Sequence, residues 1–310
     1  MSAAPSRAEM LVSRCNRSYL AGALAALMTL SGGNVAHADD AATKAAAAAL
    51  QAKYVELGRQ LENNPFQKPL YLESSQASGE LKSNVYAVLG HPFAVVRAEL
   101  KQPARWCDIL ILHPNTKYCR PSAAGTMLKV NIGRKSDQPI EKSFRVDFDY
   151  SVREAGANYL AVVLNADKGP MGTRDYRLLL EAVPLEDGRT FMHLAYSYGY
   201  GTAAKLALLA YLNTTGSKKV GFTETGRHKD GQPVYIDGLR GLIERNTMRY
   251  YLAIEAHLGS LSEPPLAQLE KRIWDWYSAS ERYPLQLHDI PQGEYLALKR
   301  KEHQRQQSDL

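Results

Sequence analysis

The spacing of apolar residues changes period several times along this chain. From Ala41 to Asn63 the sequence is alanine-rich, with Tyr54, Leu57 and Leu61 at helical spacing, and Asn63-Asn64-Pro65 supplies a stop. From Leu70 the period becomes two. Val85, Ala87 and Leu89 alternate with Asn84, Tyr86 and Val88, which predicts a strand buried on at least one face. Gly90-His91-Pro92 then turns the chain into a helical stretch, Phe93 to Leu100, ended by Pro103. Further strands follow: Leu128, Val130 and Ile132 on one face, then Val146, Phe148, Tyr150 and Val152, both alternating with polar residues. Tyr159 to Leu164 is apolar on both faces. Tyr176, Leu178, Leu180 and Ala182 lead through Glu186-Asp187-Gly188 into Phe191 to Gly199, a hairpin signal within an antiparallel meander.

On the last strand Met192, Leu194, Tyr196, Tyr198 and Tyr200 share a face, and His193 alternates to the other side. The period returns to helix over Thr202 to Leu212, and a glycine-punctuated, loop-rich stretch runs to Asp237. Leu239, Leu242, Ile243, Tyr250, Ile254 and Leu258 then recur at three- and four-residue intervals, a long helix closed by Ser262-Glu263-Pro264-Pro265. Beyond it a separate tail is expected, Leu266 to Leu310, carrying Trp274, Trp276, Tyr277 and Tyr283 and then the basic segment Lys299-Arg300-Lys301.

Ahead of all this, Arg7, Arg14 and Arg17 precede an apolar run, Leu20 to Leu30, which ends at Ala36-His37-Ala38 before Asp39-Asp40. That is the order of a secretory signal peptide, with cleavage expected after Ala38 and a soluble periplasmic product. A membrane span needs ~20 apolar residues, and this run breaks sooner, at Ser31-Gly32-Gly33; an uncleaved anchor is the alternative. The expected organisation is a signal peptide at 1–38, an N-terminal helix at 39–66, a main domain at 67–260 and a C-terminal helical extension at 261–310.

The whole chain of 310 residues is 45% hydrophobic and 23% charged, enough for one sizeable core, with a net charge of +6. The leader takes three arginines and Glu9 with it, so the mature chain is only mildly basic, which is no nucleic-acid footprint. It also takes Cys15. Cys107 and Cys119 remain, and in an oxidising compartment two cysteines are expected to pair. The rival reading makes them metal ligands with His113 between them, but no fourth ligand is suggested nearby.

The order of strand, short helix, antiparallel strands and one long amphipathic helix implies an α+β fold. In it a curved sheet grips a helix and encloses space filled by side chains or by an apolar guest. The segment Val85-Tyr86-Ala87-Val88-Leu89, Pro92-Phe93-Ala94-Val95-Val96, Leu100, Pro103, Trp106 resembles the opening of the START-like superfamily, also called helix-grip, Bet v 1-like or SRPBCC proteins. Gly238 to Leu258 looks like its closing helix. The resemblance covers roughly residues 70 to 260 and concerns element order. The cysteine pair and the insertion Thr202 to Asp237, expected over a cavity mouth, depart from the usual plan. The resemblance implies a cavity for lipids, sterols, polyketides or similar apolar molecules, in a superfamily that also contains cyclases and other enzymes.

The residues expected to meet a ligand are Trp106, His113, Arg174, Tyr176, Met192, Tyr196, Tyr198, Tyr200 and Arg249. Tyrosine offers an apolar wall with a hydroxyl that orients a polar end, although aromatic residues also favour strands for packing alone. Arg245 and Arg249 lie four apart on the closing helix and repel by a few tenths of a kcal/mol. Glu244, Glu255, solvent or an anionic ligand head group are the candidate compensations. Gly199-Tyr200-Gly201 echoes a dinucleotide fingerprint but follows a hairpin rather than a parallel βαβ unit. No catalytic motif stands out, and none calls for a cofactor or metal. Three readings follow. The first is an exported binder of a hydrophobic small molecule or lipid, with transient membrane contact through the basic tail. The second is a cyclase- or hydrolase-like cavity enzyme using Tyr198, Arg174 or His113. The third is a non-catalytic interaction module using the tryptophan-rich tail.

Overall fold

The computed structural model describes residues 33–154, 156–214 and 216–308. The leader expected at 1–38 lies outside them up to residue 32. No described helix is long and apolar enough to cross a membrane.

Eight strands form one antiparallel sheet: β1 (Leu70–Ala77), β2 (Glu80–Leu89), β3 (Thr116–Pro121), β4 (Met127–Ile132), β5 (Phe144–Glu154), β6 (Leu160–Lys168), β7 (Thr173–Pro184) and β8 (Thr190–Tyr200). Their order across the sheet is β1-β2-β8-β7-β6-β5-β4-β3. The meander from β3 to β8 therefore returns to pair with β2, the strand before it in sequence. Two short helices carry the chain from β2 to the far edge, α3 (Phe93–Leu100) and α4 (Pro103–Leu110), after α1 (Gly33–Glu56) and α2 (Gly58–Glu62). Pro103 does end the first of the pair, but it also opens a second helix that the sequence pattern did not announce. At the first helical position proline's missing N–H is one that would have had no helical partner anyway.

The period-two pattern of β2 sorts its side chains to two cores. Val85, Ala87 and Leu89 join the main core inside the sheet, while Tyr86 and Val88 join a smaller cluster on the outer face. There Ala47 and Leu50 of α1, with Leu57 and Leu61, cover Phe191 and Val183. The alanine-rich helix thus seals the back of the sheet, which is why Tyr159 to Leu164 is apolar on both faces.

Across the inner face lies α6 (Gly238–Gly259), which packs against β1, β2 and β8. This is the helix-grip arrangement. Between β8 and α6 come α5 (Thr202–Asn213) and a small hairpin, β9 (Glu224–Arg227) with β10 (Pro233–Tyr235), inside the stretch expected to be loop. Glu244 ties this insertion to α6. Its buried carboxylate accepts hydrogen bonds from Phe222 N (2.6 Å), Thr223 N (3.0 Å), Thr223 Oγ1 (2.6 Å) and Ser74 Oγ (2.5 Å). The crossing needs glycine: a Cβ on Gly221 would sit 2.5 Å from Glu244 Oε2 and 2.9 Å from Gly241 Cα.

The C-terminal extension is not a separate tail. It forms α7 (Gln268–Glu281), α8 (Pro284–Leu287) and α9 (Gln292–Gln307), and Ile273, Trp276, Leu287 and Tyr295 enter the main core. The aromatic residues supply α7 and α9 with apolar positions that burial against the domain satisfies. Trp276 stacks on Tyr295 at 4.9 Å and donates from Nε1 to Arg249 O at 3.1 Å. The basic segment is likewise engaged. Lys299 is fully buried, Arg300 pairs with Glu270, and Lys301 pairs with Asp137.

Glu302, also buried, bridges Lys117 (2.8 Å) and Lys299 (2.6 Å), and those two ammonium groups cap the carbonyls of Pro114, His113 and Thr116. Removing one member of a buried ionic group strands the others in low dielectric. Glu302→Gln should therefore lower the unfolding free energy by about 3 kcal/mol or more in a urea titration. Replacing all three residues with methionine should cost less; equal stability of Glu302→Gln and wild type would refute the account.

Candidate functional site

Between the inner face of the sheet and α6 lies a cavity of about 440 Å3. Five residues of α6 reach it, Leu242, Arg245, Asn246, Arg249 and Tyr250, the i, i+3, i+4, i+7, i+8 positions that form one face of a helix. Tyr176 of β7 and Tyr196 and Tyr198 of β8 form the opposite wall. The turn after α4 contributes His113, the segment after β4 contributes Lys135, and the insertion contributes Leu208, Tyr211 and Lys219. Exposed Phe144 and Met171 stand at the edge with Arg134 and Lys142.

The tyrosines pack on one another. Tyr176 stacks on Tyr198 at 5.2 Å between ring centroids, and Tyr196 meets Tyr250 edge-on at 5.3 Å. Tyr176 also leans on backbone, because a Cβ on Gly169 would come within 2.2 Å of its ring. Its hydroxyl pairs with Thr173 Oγ1 at 2.7 Å. A register shift in the β7–β8 pairing at Arg174 to Arg177, with Asp175 at φ 53°, sits beside it. Burial raises the Tyr196, Tyr198 and Tyr250 phenols well above their ordinary value and pushes Tyr176 up to about 12, so all four are neutral hydroxyls.

The charge in the wall is one-sided. Six cationic residues line the cavity, Arg134, Lys135, Lys142, Lys219, Arg245 and Arg249, and no described aspartate or glutamate does. Asp289, between α8 and α9, reaches two of them from behind, pairing with Lys135 at 2.5 Å and with Arg249 at 2.8 Å. Burial alone would raise its carboxyl, but Arg249, Lys135 and Lys219 outweigh that and bring it down to about 2. Burial lowers Lys135 to about 8 and Arg245 to about 10, with Arg249 pushing both further in that direction. His113 is held neutral by burial and by Arg249 and Lys299. Its Nδ1 accepts from Asn115 N at 3.1 Å.

Five of the nine expected ligand contacts line this cavity: His113, Tyr176, Tyr196, Tyr198 and Arg249. Four do not. Trp106 is wholly enclosed in the core and donates to Leu100 O at 2.7 Å. Met192 shares the tyrosine face but lies further along β8, in solid core. Tyr200, at the strand end, accepts from Gln76 Nε2 at 3.0 Å, and Arg174 is an exposed rim residue paired with Asp175. Alternation assigns a face, and depth along the strand decides whether that face meets the cavity. His193 stacks on Tyr86 at 4.4 Å on the outer face. The charged residues that sequence reading missed are Arg134, Lys135, Lys142, Lys219 and Asp289. The only local hint was the Arg245/Arg249 pair.

Cys107 and Cys119 form a disulfide that ties α4 to β3, so they are not metal ligands, and among the described residues no three metal-donor side chains converge. The glycines around Tyr200 follow a strand paired antiparallel on both sides, so the dinucleotide echo has no βαβ unit to serve.

The fold is thus a helix-grip fold with a cation-lined cavity between the sheet and α6. No protein-family model matches the chain, and no curated protein matches it in sequence. Among solved structures, a conserved protein from Geobacillus kaustophilus is 12% identical, spanning 58% of this chain and 95% of that one at a TM-score of 0.34. A truncated norcoclaurine synthase from Thalictrum flavum is 12% identical over 46% of this chain and 90% of that one, at 0.31. A protein from Arthrobacter aurescens is 12% identical over 62% and 93%, at 0.32. The strand order and the closing helix of this chain themselves define the fold.

Asp289 holds two elements of the wall together, α6 and the segment after β4, and its lowered pKa has a thermodynamic consequence. A carboxyl depressed on folding stabilises above its ordinary value, 3.8, and that stabilisation is lost as pH falls toward about 2. Asp289→Asn should remove about 2 kcal/mol of stability at neutral pH, at roughly 1.4 kcal/mol per unit, and flatten the acid limb of a stability profile between pH 4 and 2. An unchanged acid limb would contradict the assignment.

Proposed function

We propose that this is an exported protein that binds one small hydrophobic or amphipathic molecule, or a lipid chain, between the tyrosine wall and α6. The observation that carries the reading is the cavity itself. Its volume of about 440 Å3 falls in the ~300–1,000 Å3 range of small-molecule sites, and its wall combines aromatic faces with a few polar groups. Burying apolar ligand area at ~25 cal/mol per Å2 supplies the affinity, and neutral tyrosine hydroxyls orient the guest. The Cys107–Cys119 disulfide supports an oxidising, periplasmic location.

Binding is favoured over catalysis by the make-up of the wall. Acid–base turnover commonly uses a carboxylate facing the substrate, and among the described residues the cavity wall offers His113 and Lys135 but no carboxylate. The interaction-module reading loses Trp276 to the core and retains Trp274 at the surface.

Native mass spectrometry of protein taken from the periplasm of its own cell should show an organic mass that is released on denaturation. Leu208→Trp, which fills the cavity from α5, should reduce its occupancy. Protein that is consistently empty and ignores a panel of lipids and aromatic compounds would overturn the reading.

A further inference from the structure

The cavity that the binding reading relies on has a property that an apolar guest alone leaves unexplained. Its inner wall concentrates Lys135, Lys219, Arg245 and Arg249, and the one carboxylate among the described residues in contact with them, Asp289, is already shared by Lys135 and Arg249. Arg245 is 2% exposed, and its only hydrogen-bond partner among the described residues is Val220 O, at 3.2 Å from Nη1. A guanidinium carries five N–H donors, and burying a charge with no counter-charge is costly.

The acids nearest in sequence cannot supply that counter-charge. Glu244 is consumed by the insertion and by Ser74, and Glu255 pairs with Lys68 at 2.6 Å. Two further donors are buried without a partner, Arg249 Nε and His113 Nε2. Because Nδ1 of the neutral His113 ring accepts from Asn115, Nε2 carries the proton and is a donor. A cationic guest would be repelled by this wall. A neutral one could offer a carbonyl or hydroxyl acceptor but no counter-charge for the buried guanidinium.

We propose that the guest is an organic anion, a carboxylate or phosphate monoester whose charged end is held by Arg245, with Arg249 and His113 as further donors, and whose apolar body lies on Tyr176, Tyr196 and Tyr198. This rests on the cavity-binding reading and specifies its ligand class. Tyr211 and Lys219 place the insertion at the same end of the site, so the anion also fastens the insertion to α6. The lowering of Arg245 and Lys135 by burial and by their cationic neighbour Arg249 agrees with a site short of negative charge.

The test is calorimetric titration of the mature protein with decanoate, decyl phosphate, decanol and inorganic phosphate, repeated with Arg245→Gln after a thermal-unfolding check. At least one of the two decyl anions should bind about tenfold or more tighter than decanol, the gain expected of hydrogen bonds to charged groups. In Arg245→Gln that ratio should fall toward one. Whichever decyl anion binds tighter identifies carboxylate or phosphate as the preferred head. Decanol binding as tightly as both anions to the wild type would overturn the anion proposal while leaving the cavity reading intact, and needs no variant. Inorganic phosphate binding as tightly as decyl phosphate would overturn it too, by removing the apolar body. A ratio unaltered by Arg245→Gln would overturn the role of Arg245, and failure of every probe would count against both readings.

Discussion

One carboxylate organises the business end of this protein. Asp289 arrives from the C-terminal extension and meets Arg249 of the closing helix and Lys135 from beyond β4, three segments with no local reason to converge. Buried ionic groups contribute little net stability compared with an apolar core, but losing one partner is severe, so such a group acts as a registration device. Here it fixes where α6 lies relative to the end of the sheet. It also leaves the cavity wall with a surplus of positive charge.

The C-terminal extension serves the cavity from outside it. Tyr295 donates to Leu112 O, and the Lys117, Lys299 and Glu302 group caps the carbonyls of residues 113, 114 and 116. That pins the turn that carries His113. On the opposite side, Glu244 draws the insertion against α6, which brings Lys219 and Tyr211 into the wall. Because an open hollow needs walls that do not collapse, polar anchors of fixed geometry are placed around it while the apolar core fills the rest of the sheet.

Much of the architecture was legible in the residues. Alternation in β2 and β8 and the three- and four-residue recurrences of α6 report local burial directly, so β2, the run from β4 to β8 and the closing helix could be read from period, whereas β3, β9 and β10 could not. The hairpin at Asp187-Gly188 followed from turn chemistry. The second short helix was not legible, because a proline that stops one helix is equally suited to starting the next. The tail was read as separate for a related reason: its aromatic residues have an evident stripe, but no local pattern names the surface that stripe covers. For the site, Tyr196 and Tyr198 were visible as a shared face, whereas Met192 and Tyr200 on that face fell outside the cavity. Period assigns a side of the sheet and says nothing of position along it.

Taken alone, the chain determined most of its elements, its α+β class, the grip of a sheet on a long helix and the availability of two cysteines to pair. These depend on propensities and periodicities within a dozen or so residues. Only the tertiary structure decided the electrical character of the hollow. Lys135 and Asp289 are 154 residues apart and Arg249 and Asp289 are 40 apart, and Glu244, adjacent to Arg245, bonds to the insertion instead. Whether a charge is cancelled depends on distances of a few ångströms and on exclusion of water, and a linear sequence specifies neither.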